Sequence, residues 1–369
     1  MENRFLGHKQ AVYDIQLDGL GGWFSAGSEG WIVHWPSGTE SHGRLIAQTG
    51  EPIYSLCVLG SQSEFILAGG QSGTVYAFRK MGFPVLQSGL NHSNQDLQTS
   101  DGNDVSIDKN VRSAEELRSD NFNDDNVNLA NGSSNELSSQ MKIPVELKFE
   151  KMWEFRIHEK GVFDFNEYSE FQSKESRIIV SCSADGKLAL WDINNPMKFL
   201  VKSIAIPGSL RCINSNFNLG NRVRVGGQSG LVYEWEILGD NWDNFEFQRI
   251  KEYTIGRNTL FQMVQHQKIC ALGGRDAKIW ITDEFLNIHK QIDAHWFSIH
   301  ALAFSPCGKL LASGSMDKCI RLWDVDGGDI LIHKELAHKS SVNKIIWLDH
   351  ETLISCSDDS QIISWKIKH

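Results

Sequence analysis

The sequence has no long apolar run, no paired cysteines and no secretion signal. No stretch approaches the roughly 18 consecutive apolar residues of a membrane-spanning helix, and the opening MENRFLGHKQ lacks the basic and apolar regions of a signal peptide. The seven cysteines stand singly, without a C-x-x-C pair, which favours reduced thiols over disulfides or a zinc site. We therefore expect a cytoplasmic protein with no membrane partner.

An excess of positive charge is also absent. The 369 residues include 36 basic and 46 acidic side chains, a net charge of −10, and the pI is about 5.7. A protein that binds nucleic acid directly usually shows a basic stripe or a high pI. We expect no direct nucleic-acid binding and a partner that is itself a protein.

Two glycine-rich stretches, AGGQSGTVYAF at 68–78 and VGGQSGLVYEW at 225–235, raise the question of an active site. A nucleophile elbow needs G-x-S-x-G and a phosphate loop needs G-x-x-x-x-G-K-[ST], and neither copy has that spacing. β-Branched and aromatic residues follow each turn, which is typical of a strand. No metal-ligand spacing or catalytic motif occurs elsewhere, so we predict no enzyme, no metal and no cofactor. The duplicated turn indicates a repeat.

The repeat becomes visible when the aromatic residue that ends each such strand is aligned. The gaps between successive aromatics are 43, 113, 44, 45, 43 and 42 residues. One gap therefore contains an insertion, and the others share one period. Seven units result, and they end at Trp35, Phe78, Trp191, Trp235, Trp280, Trp323 and Trp365.

The same order of residues recurs within the units. The sixth unit has His295, an apolar strand, a turn, a second strand that reaches Ser313, a tight turn at Asp317 and a third strand that ends at Trp323. This order resembles the WD40 repeat. The resemblance extends over the chain outside the insertion, because seven units follow the pattern.

The Gly-His and Trp-Asp marks of WD40 repeats occur here as Gly7-His8, Trp191-Asp192 and Trp323-Asp324. The resemblance implies an all-β fold, a single seven-bladed β-propeller over residues 1–369. It also implies closure of the ring by N- and C-terminal strands in the last blade, with NRFL at 3–6 as the outermost strand.

The resemblance further implies a buried hydrogen-bonded network of histidine, serine, aspartate and tryptophan inside individual blades. A catalytic triad is the alternative, but the recurrence and the tryptophan, which acyl transfer does not need, favour a structural role. Blade one has His8, Ser25 and Trp35, with Glu29 in place of the aspartate. The complete predicted networks are His158, Ser181, Asp185 and Trp191; His295, Ser313, Asp317 and Trp323; and His338, Ser355, Asp359 and Trp365.

The two GGQSG stretches lie where blade six has the turn before its third strand. Ser72 and Ser229 take the place of the aspartate, and Ala68 and Val225 take the place of the serine. We therefore interpret both stretches as blade turns that have lost the network.

Residues 84–144 form a polar, acidic insertion between blades two and three. The part from 91 to 142 has ten Asn, nine Ser, one aromatic residue and ten acidic against four basic residues. Such a composition cannot bury enough apolar surface to offset the entropy of the chain. We predict a disordered loop, and a regulatory or docking element is the alternative.

The register of the innermost strands predicts a binding site. In WD40 proteins these strands line a central channel, and peptides commonly bind where the strands begin. Trp296 and Phe297, in the loop that enters blade six, extend the predicted site. The alternative is that the rings only fill space between blades. The predicted protein-binding residues at the strand starts are Tyr13, Tyr54, Phe163, Arg211, Phe261, His300 and Asn343.

We predict a non-enzymatic WD40 scaffold or adaptor that binds a protein segment with a basic or apolar anchor. It would act as a monomer or as a subunit of a hetero-complex. The first alternative is a non-catalytic subunit of a nucleic-acid-processing or modification complex, and the second is a propeller hydrolase.

Overall fold

The computed structural model describes residues 2–37, 42–82, 147–168, 177–194, 202–214, 221–239, 244–327, 330–334 and 336–367, without the side chains of 330–334. The chain divides into two units, Met1–Leu86 with Leu147–His369, and Gln87–Glu146. The second unit lies outside the described residues, and so does the predicted insertion at 84–144.

The first unit consists of seven four-stranded antiparallel sheets, which are the blades of a propeller. Strand β1 (Glu2–Phe5) is the outermost strand of blade seven. The strands of blades one to three follow from the inside outwards. They are β2 (Val12–Leu17), β3 (Trp23–Gly27), β4 (Trp31–Trp35) and β5 (Arg44–Gln48); β6 (Ile53–Leu59), β7 (Phe65–Gly70), β8 (Thr74–Lys80) and β9 (Phe149–Arg156); and β10 (Val162–Tyr168), β11 (Ile178–Ser183), β12 (Lys187–Asp192) and β13 (Lys202–Ala205).

Blades four to seven have the same order from the inside outwards. Their strands are β14 (Leu210–Asn214), β15 (Arg222–Gly227), β16 (Leu231–Leu238) and β17 (Glu246–Thr254); β18 (Leu260–His266), β19 (Ile269–Gly274), β20 (Lys278–Asp283) and β21 (Ile288–Asp293); β22 (Ile299–Phe304), β23 (Leu310–Ser315), β24 (Ile320–Asp324) and β25 (Ile330–Lys334); and β26 (Val342–Trp347), β27 (Thr352–Ser357), β28 (Ile362–Lys366) and then β1.

The inner strands pack against one another in a closed circle. Each of β2, β6, β10, β14, β18, β22 and β26 contacts the next, and β26 contacts β2 again. The seven-bladed ring predicted from the repeat is confirmed.

Apolar residues fill the space between neighbouring blades. All six residues of β11 are buried, because a middle strand is covered on both of its faces. Leu67 and Val75 of blade two pack with Ile179 and Trp191 of blade three, and burial of such a side chain contributes about 1.5–3 kcal/mol. This packing holds the inner strands in place around the axis.

The two ends of the chain close the ring in blade seven, as predicted. Strand β1 pairs with β28, with Glu2 opposite Trp365 and Phe5 opposite Ile362. The Phe5 ring also packs edge-on against Trp23 of blade one, with 5.0 Å between ring centroids. Closure covers the outer edge of β28 with β1 and completes the fourth strand of the last blade.

Helical structure contributes almost nothing to the described part of the chain. The three-residue turn Gln228–Gly230 is a helical segment of this kind. No helix among the described residues has the length and apolar character needed to cross a bilayer.

Candidate functional site

One face of the ring carries the loops that lead into the inner strands and the turns that join the second and third strands of each blade. In blade six, the turn residue Met316 donates its backbone N–H to the carbonyl of Ser298 in the loop (2.9 Å). In blade seven, Asp358 donates in the same way to Ser341 (3.2 Å). We call this side of the ring the top face.

Every inner strand has a β-bulge directly after its first residue. In blade one Val12 pairs with Gly27 and Asp14 pairs with Ala26, so Tyr13 between them has no partner in the ladder. A bulge turns a side chain away from the regular alternation of the strand. The skipped residues are the seven predicted from the repeat, and we call them the rim ring: Tyr13, Tyr54, Phe163, Arg211, Phe261, His300 and Asn343.

The rim ring begins with aromatic contacts between blades one, two and three. The centroids of Tyr13 and Tyr54 are 5.5 Å apart in an edge-on arrangement. Tyr54 stacks on Phe163 at 5.4 Å, with an angle of 7° between the rings. The guanidinium carbon of Arg211 lies 3.8 Å from the Phe163 centroid, which extends the contacts to blade four.

The contacts continue through the remaining blades. Arg211 lies 5.9 Å from the centroid of Phe261, which packs edge-on against His300 at 4.9 Å. A hydrogen bond of 3.3 Å joins His300 Nδ1 and Ser341 Oγ of blade seven. Asn343 Nδ2 donates to the carbonyl of Val12 (2.9 Å), so the contacts return to blade one.

All seven side chains of the rim ring are partly exposed, so they are neither free on the surface nor sealed in the core. Burial lowers the pKa of Arg211 from its ordinary value. Burial also lowers the pKa of His300, and the charge of Asp358 partly offsets that second shift. Burial raises the pKa of Tyr54. Around neutral pH the rim ring therefore offers aromatic surface and one cation.

Below the rim ring, charged side chains occupy the next inner-strand position. Lys344 Nζ lies 3.5 Å from Asp14 Oδ1, and Asp14 Oδ2 accepts the backbone N–H of Leu56 in blade two (2.7 Å). Asp164 accepts the backbone N–H of Ile213 in blade four (2.8 Å). Burial raises the pKa of Asp164 to about 6, against the opposing charge of Lys344.

These carboxylates join neighbouring blades to each other. They were not among the predicted site residues, because only the first position after the leading core residue of each inner strand was given a role. The signal was an acid or lysine directly after a rim-ring residue in three of the seven units, at Asp14, Asp164 and Lys344.

The predicted four-residue networks are assembled in the structure. In blade six, His295 Nδ1 lies 2.9 Å from Asp317 Oδ2, and His295 Nε2 lies 2.7 Å from Ser313 Oγ. Trp323 Nε1 donates to the same Ser313 oxygen (2.8 Å). A carboxylate only accepts, so Nδ1 carries the proton and Nε2 accepts the serine hydroxyl. The corresponding distances in blades three and seven are between 2.7 and 3.2 Å.

Blade one builds the same network with a glutamate. His8 Nδ1 lies 2.9 Å from Glu29 Oε2, and His8 Nε2 lies 2.7 Å from Ser25 Oγ, which accepts from Trp35 Nε1 (2.8 Å). Burial lowers the pKa of His8, against the effect of Glu29. The longer acid therefore reaches the histidine as an aspartate does.

The networks cannot act as catalytic triads in this arrangement. Ser313 is fully buried and its oxygen already accepts from Trp323, so a substrate cannot reach it. Ser181 and Ser355 are equally buried. Within the described part of the chain, no group of three His, Cys, Asp or Glu side chains is placed to hold a metal ion.

The blades that lack the network differ from one another. In blade four, the Trp235 indole N–H is buried without a partner, because Val225 stands where a serine would accept it. In blade five, Trp280 Nε1 donates directly to Asp276 (3.1 Å). In blade two, Glu51 accepts from the Ser72 hydroxyl (2.8 Å) at the surface.

An apolar patch lies on the top face of blade six. Trp296 is 83% exposed and Phe297 58% exposed, and both belong to the predicted protein-binding residues. Met316 and Leu336, which the sequence analysis did not single out, are also exposed. Their signal was a bulky apolar residue in a turn and in a loop that are otherwise polar.

Comparison with known proteins follows the repeat. Three segments match the model of the family described as WD domain, G-beta repeat: residues 149–192, 287–324 and 331–366. These segments are WD40 repeats, and the chain folds as a seven-bladed β-propeller. Each matched segment runs from the outer strand of one blade through the three inner strands of the next.

Relatives match this WD40-repeat chain over parts of its length. It is 26% identical to nuclear distribution protein nudF of Aspergillus niger over 194 residues, 48% of this chain and 43% of that protein. It is 29% identical to actin-interacting protein 1 of Drosophila melanogaster over 26% of this chain and 16% of that protein. It is 30% identical to protein HIRA of Dictyostelium discoideum over 26% of this chain and 11% of that protein. The matches thus span less than half the length of these relatives.

The crystal structure of the WD40 β-propeller domain of Doa1 is similar over almost the whole chain. The TM-score is 0.67, and the similarity covers 99% of this chain and 95% of the Doa1 chain at 14% identity. This likeness concerns the fold. Fold and relatives together support a protein-interaction scaffold in general terms, and they show no catalytic family.

Proposed function

We propose that this WD40-repeat protein is a non-enzymatic, cytoplasmic scaffold that binds a protein segment on its top face, over the rim ring. The observation that carries the proposal is the series of seven bulges, each of which turns a partly exposed side chain towards its neighbours around the channel mouth. Packing between blades alone would not require seven such side chains in one register.

The chemistry of the rim ring suits a surface that is wet when free and buried when bound. Tyrosine and arginine combine a large contact area with a polar end that water or a partner can satisfy. Both types are enriched among the residues that dominate binding free energy. Tyr13, Tyr54 and Arg211 supply this chemistry on blades one, two and four.

The position of the rim ring on rigid strands supports the same proposal. The networks of blades one, three, six and seven tie the loop before each inner strand to the turn beside it. A site held in its binding conformation loses less entropy when a partner arrives.

Affinity capture from the native source tests the proposal. The bait would be the full chain as wild type, as the triple variant Tyr13→Ala/Phe163→Ala/Arg211→Ala, and as the control Leu17→Ala/Phe285→Ala/Arg4→Ala. Each alanine in the rim ring should weaken binding by about 2 kcal/mol. Circular dichroism and melting curves would establish that the baits are folded.

A protein that the rim variant loses and the control retains would support the scaffold. Equal capture by all three baits would contradict the site. Loss of RNA instead would favour the alternative, a non-catalytic subunit of a nucleic-acid-processing complex, and turnover in a hydrolase screen would contradict the non-enzymatic assignment.

A further inference from the structure

Three arginines lie on the top side of blades four and five, Arg257 and Arg275 exposed and Arg211 half-buried. Arg211 belongs to the rim ring, Arg257 lies in the loop that leads into β18, and Arg275 lies in the turn after β19. The Arg275 backbone N–H donates to the carbonyl of Thr259 (2.8 Å), so the loop and the turn of blade five are joined. Arg257 follows Gly256, whose N–H donates to Gly230 in the turn of blade four (3.3 Å).

None of the three arginines has a carboxylate partner among the described residues. Arg211 Nε is fully buried without a hydrogen-bond acceptor, and its aromatic neighbours Phe163 and Phe261 supply none. Ser209 Oγ, two residues earlier, is also buried without a partner. Buried donors of this kind favour a ligand that brings an acceptor.

Among the described residues, the acids in the top-face loops and turns are already engaged by other groups of the protein. Glu51 accepts from Ser72, Glu159 pairs with Lys187, and Asp358 accepts from Asn343. The others accept from a histidine or tryptophan of their own blade: Glu29, Asp185, Asp276, Asp317 and Asp359. The three arginines therefore leave positive charge that the protein itself does not pair.

The apolar patch of blade six adjoins the arginine side of the top face. His295, at the start of the loop that carries Trp296, donates its backbone N–H to Ala277 in the turn of Arg275 (3.0 Å). Ser315 Oγ, beside Met316, donates to the carbonyl of Phe297 (2.9 Å). Unpaired arginines and exposed apolar side chains thus follow each other from blade four to blade six.

We infer that the segment bound on the top face is an acidic peptide with a bulky apolar residue. Its carboxylates pair with Arg211, Arg257 and Arg275, and its apolar side chain packs on Trp296, Phe297 and Met316. The inference rests on the proposed function. The sequence led us to expect a basic or apolar anchor, and the charge pairing of the top face favours an acidic one.

The three arginines belong to a strand bulge, a loop and a turn. Three separate elements suit several carboxylates along a peptide better than one phosphate group. The geometry also favours a peptide over a single-stranded nucleic acid. Phe163 is stacked by Tyr54 and covered by Arg211, so its ring has no free face for a base. The chain as a whole carries −10, but charges beyond about 8 Å are screened at physiological salt, so the local arginines decide the pairing.

Selection of a random peptide library displayed on phage, with the full chain as bait, tests the inference. Enrichment of peptides that contain several Asp or Glu residues and a bulky apolar residue is expected. Enrichment of basic or uncharged peptides, or no enrichment, would overturn the inference. A selected peptide would then be labelled with fluorescein, and its affinity compared with that of the same peptide carrying Gln and Asn in place of Glu and Asp.

Fluorescence anisotropy with matched variants locates the contacts. Arg211→Gln/Arg257→Gln/Arg275→Gln should weaken the selected peptide by about tenfold or more, whereas Arg4→Gln on the exposed outer strand should not. Trp296→Ser should weaken it by about tenfold, whereas Phe285→Ser, on the opposite side of the ring, should not. Equal effects of test and control variants would overturn the inference.

Two further probes separate the other ligands. Tighter binding of a phosphoserine peptide that depends on Arg211 alone would show that the site binds a phosphate and not carboxylates. Tighter binding of an oligouridylate would show that the ligand is RNA and not a peptide. If the partner captured in the native experiment is lost by a Tyr13→Ala/Phe163→Ala bait but retained by the triple arginine variant, the acidic inference fails and the scaffold proposal stands. If neither set matters, the site itself is wrong.

Discussion

Blades six and four solve the same structural problem with different side chains. In blade six, Ser313 accepts the indole N–H of Trp323 and also contacts His295, so the indole N–H and the histidine ring both have a partner. In blade four, Val225 takes the place of that serine, and the Trp235 N–H is buried without a partner. Both blades nevertheless form four strands at the same place in the ring. The network therefore strengthens a blade that packing has already defined.

Blade four has a different buried network further out along the sheet. Arg224 Nε donates to Glu234 Oε2 (2.8 Å), which also accepts from Tyr253 (2.9 Å). Burial alone would raise the pKa of Glu234, but its bonds with Arg224 and its other partners lower it. This network joins β15, β16 and β17, whereas that of blade six joins the loop and turn of the top face. Blade four thus leaves its top face, where Arg211 lies, without a histidine network.

Low pH should have the largest effect on the comparison, because the blades with a histidine network hold aspartates whose ionised form stabilises the fold. Burial alone would raise the pKa of Asp185 and Asp359, but hydrogen bonds with their histidines and with backbone N–H groups lower both to about 2. The same causes hold the pKa of Asp317 well below its usual range. A lowered carboxyl pKa stabilises the fold fully above the ordinary value of 3.8, and this stabilisation is lost as the pH falls towards the folded-state pKa.

Urea unfolding between neutral pH and strongly acidic pH measures this loss. The wild type should lose stability steadily below about pH 4. Asp317→Asn, which is less stable at neutral pH, should lose less over the same range because one of the shifted carboxyls is gone. Parallel curves for the two proteins would show that the network aspartates do not set the acid response.

Removal of the serine from blade six should have the largest effect of any single substitution considered. Ser313→Ala leaves the Trp323 N–H and the ring nitrogen of His295 buried without a partner. The free energy of unfolding should fall by about 3 kcal/mol, since each unpaired buried group costs about 1–3 kcal/mol. Chemical denaturation gives the value, and a loss below about 0.5 kcal/mol would contradict the role of the network.

The two tryptophans offer a paired test of the same comparison. Trp323→Phe removes a hydrogen bond to Ser313, whereas Trp235→Phe removes a donor that has no acceptor. Both changes take away similar ring area, so their difference reports the hydrogen bond. We expect the blade-six variant to be less stable than the blade-four variant by about 1–2 kcal/mol. Equal losses in urea midpoints would mean that water or motion satisfies Trp235.

Restoration of the serine in blade four should have the smallest effect. Val225→Ser gives the Trp235 N–H an acceptor but removes buried apolar surface from a fully buried position. The gain and the loss are each about 1 kcal/mol, so the stability should change by less than about 1 kcal/mol in either direction. A loss comparable with that of Ser313→Ala would show that the core of blade four cannot accept the hydroxyl.

Much of the fold could be predicted from spacing alone. The regular distance between Trp191, Trp235, Trp280 and Trp323 defines units that cannot bury their apolar faces singly. Their resemblance to WD40 repeats then implies that the units form a ring. The network residues could be predicted for the same reason, since they recur with the period. Glu29 shows the limit, because only the geometry reveals that the longer side chain reaches His8.

The candidate site was predictable as a register but not as a surface. The repeat placed Tyr13, Tyr54 and Arg211 in equivalent positions, yet it gave no sign that each is skipped by a β-bulge. Contacts between blades depend on residues that are far apart in the chain, as when Asn343 donates to Val12 across the closure. Arg211 likewise lacks a carboxylate partner because other side chains already bind the acids of the top face, and this can be seen only in the structure.

The sequence by itself determined the number of repeat units and their order, because these follow from a period of turn and aromatic residues along the chain. The ring and the way in which it closes were implied by the resemblance of those units to WD40 repeats. Only the tertiary structure decided which polar groups find partners. Hydrogen bonds and ion pairs act over a few ångströms, and the distances between blades exist only once the ring has closed. For this reason the indole N–H of Trp235 and Nε of Arg211 are buried without a partner. Trp323 and Asp317, whose positions in the repeat gave no sign of this difference, both have one.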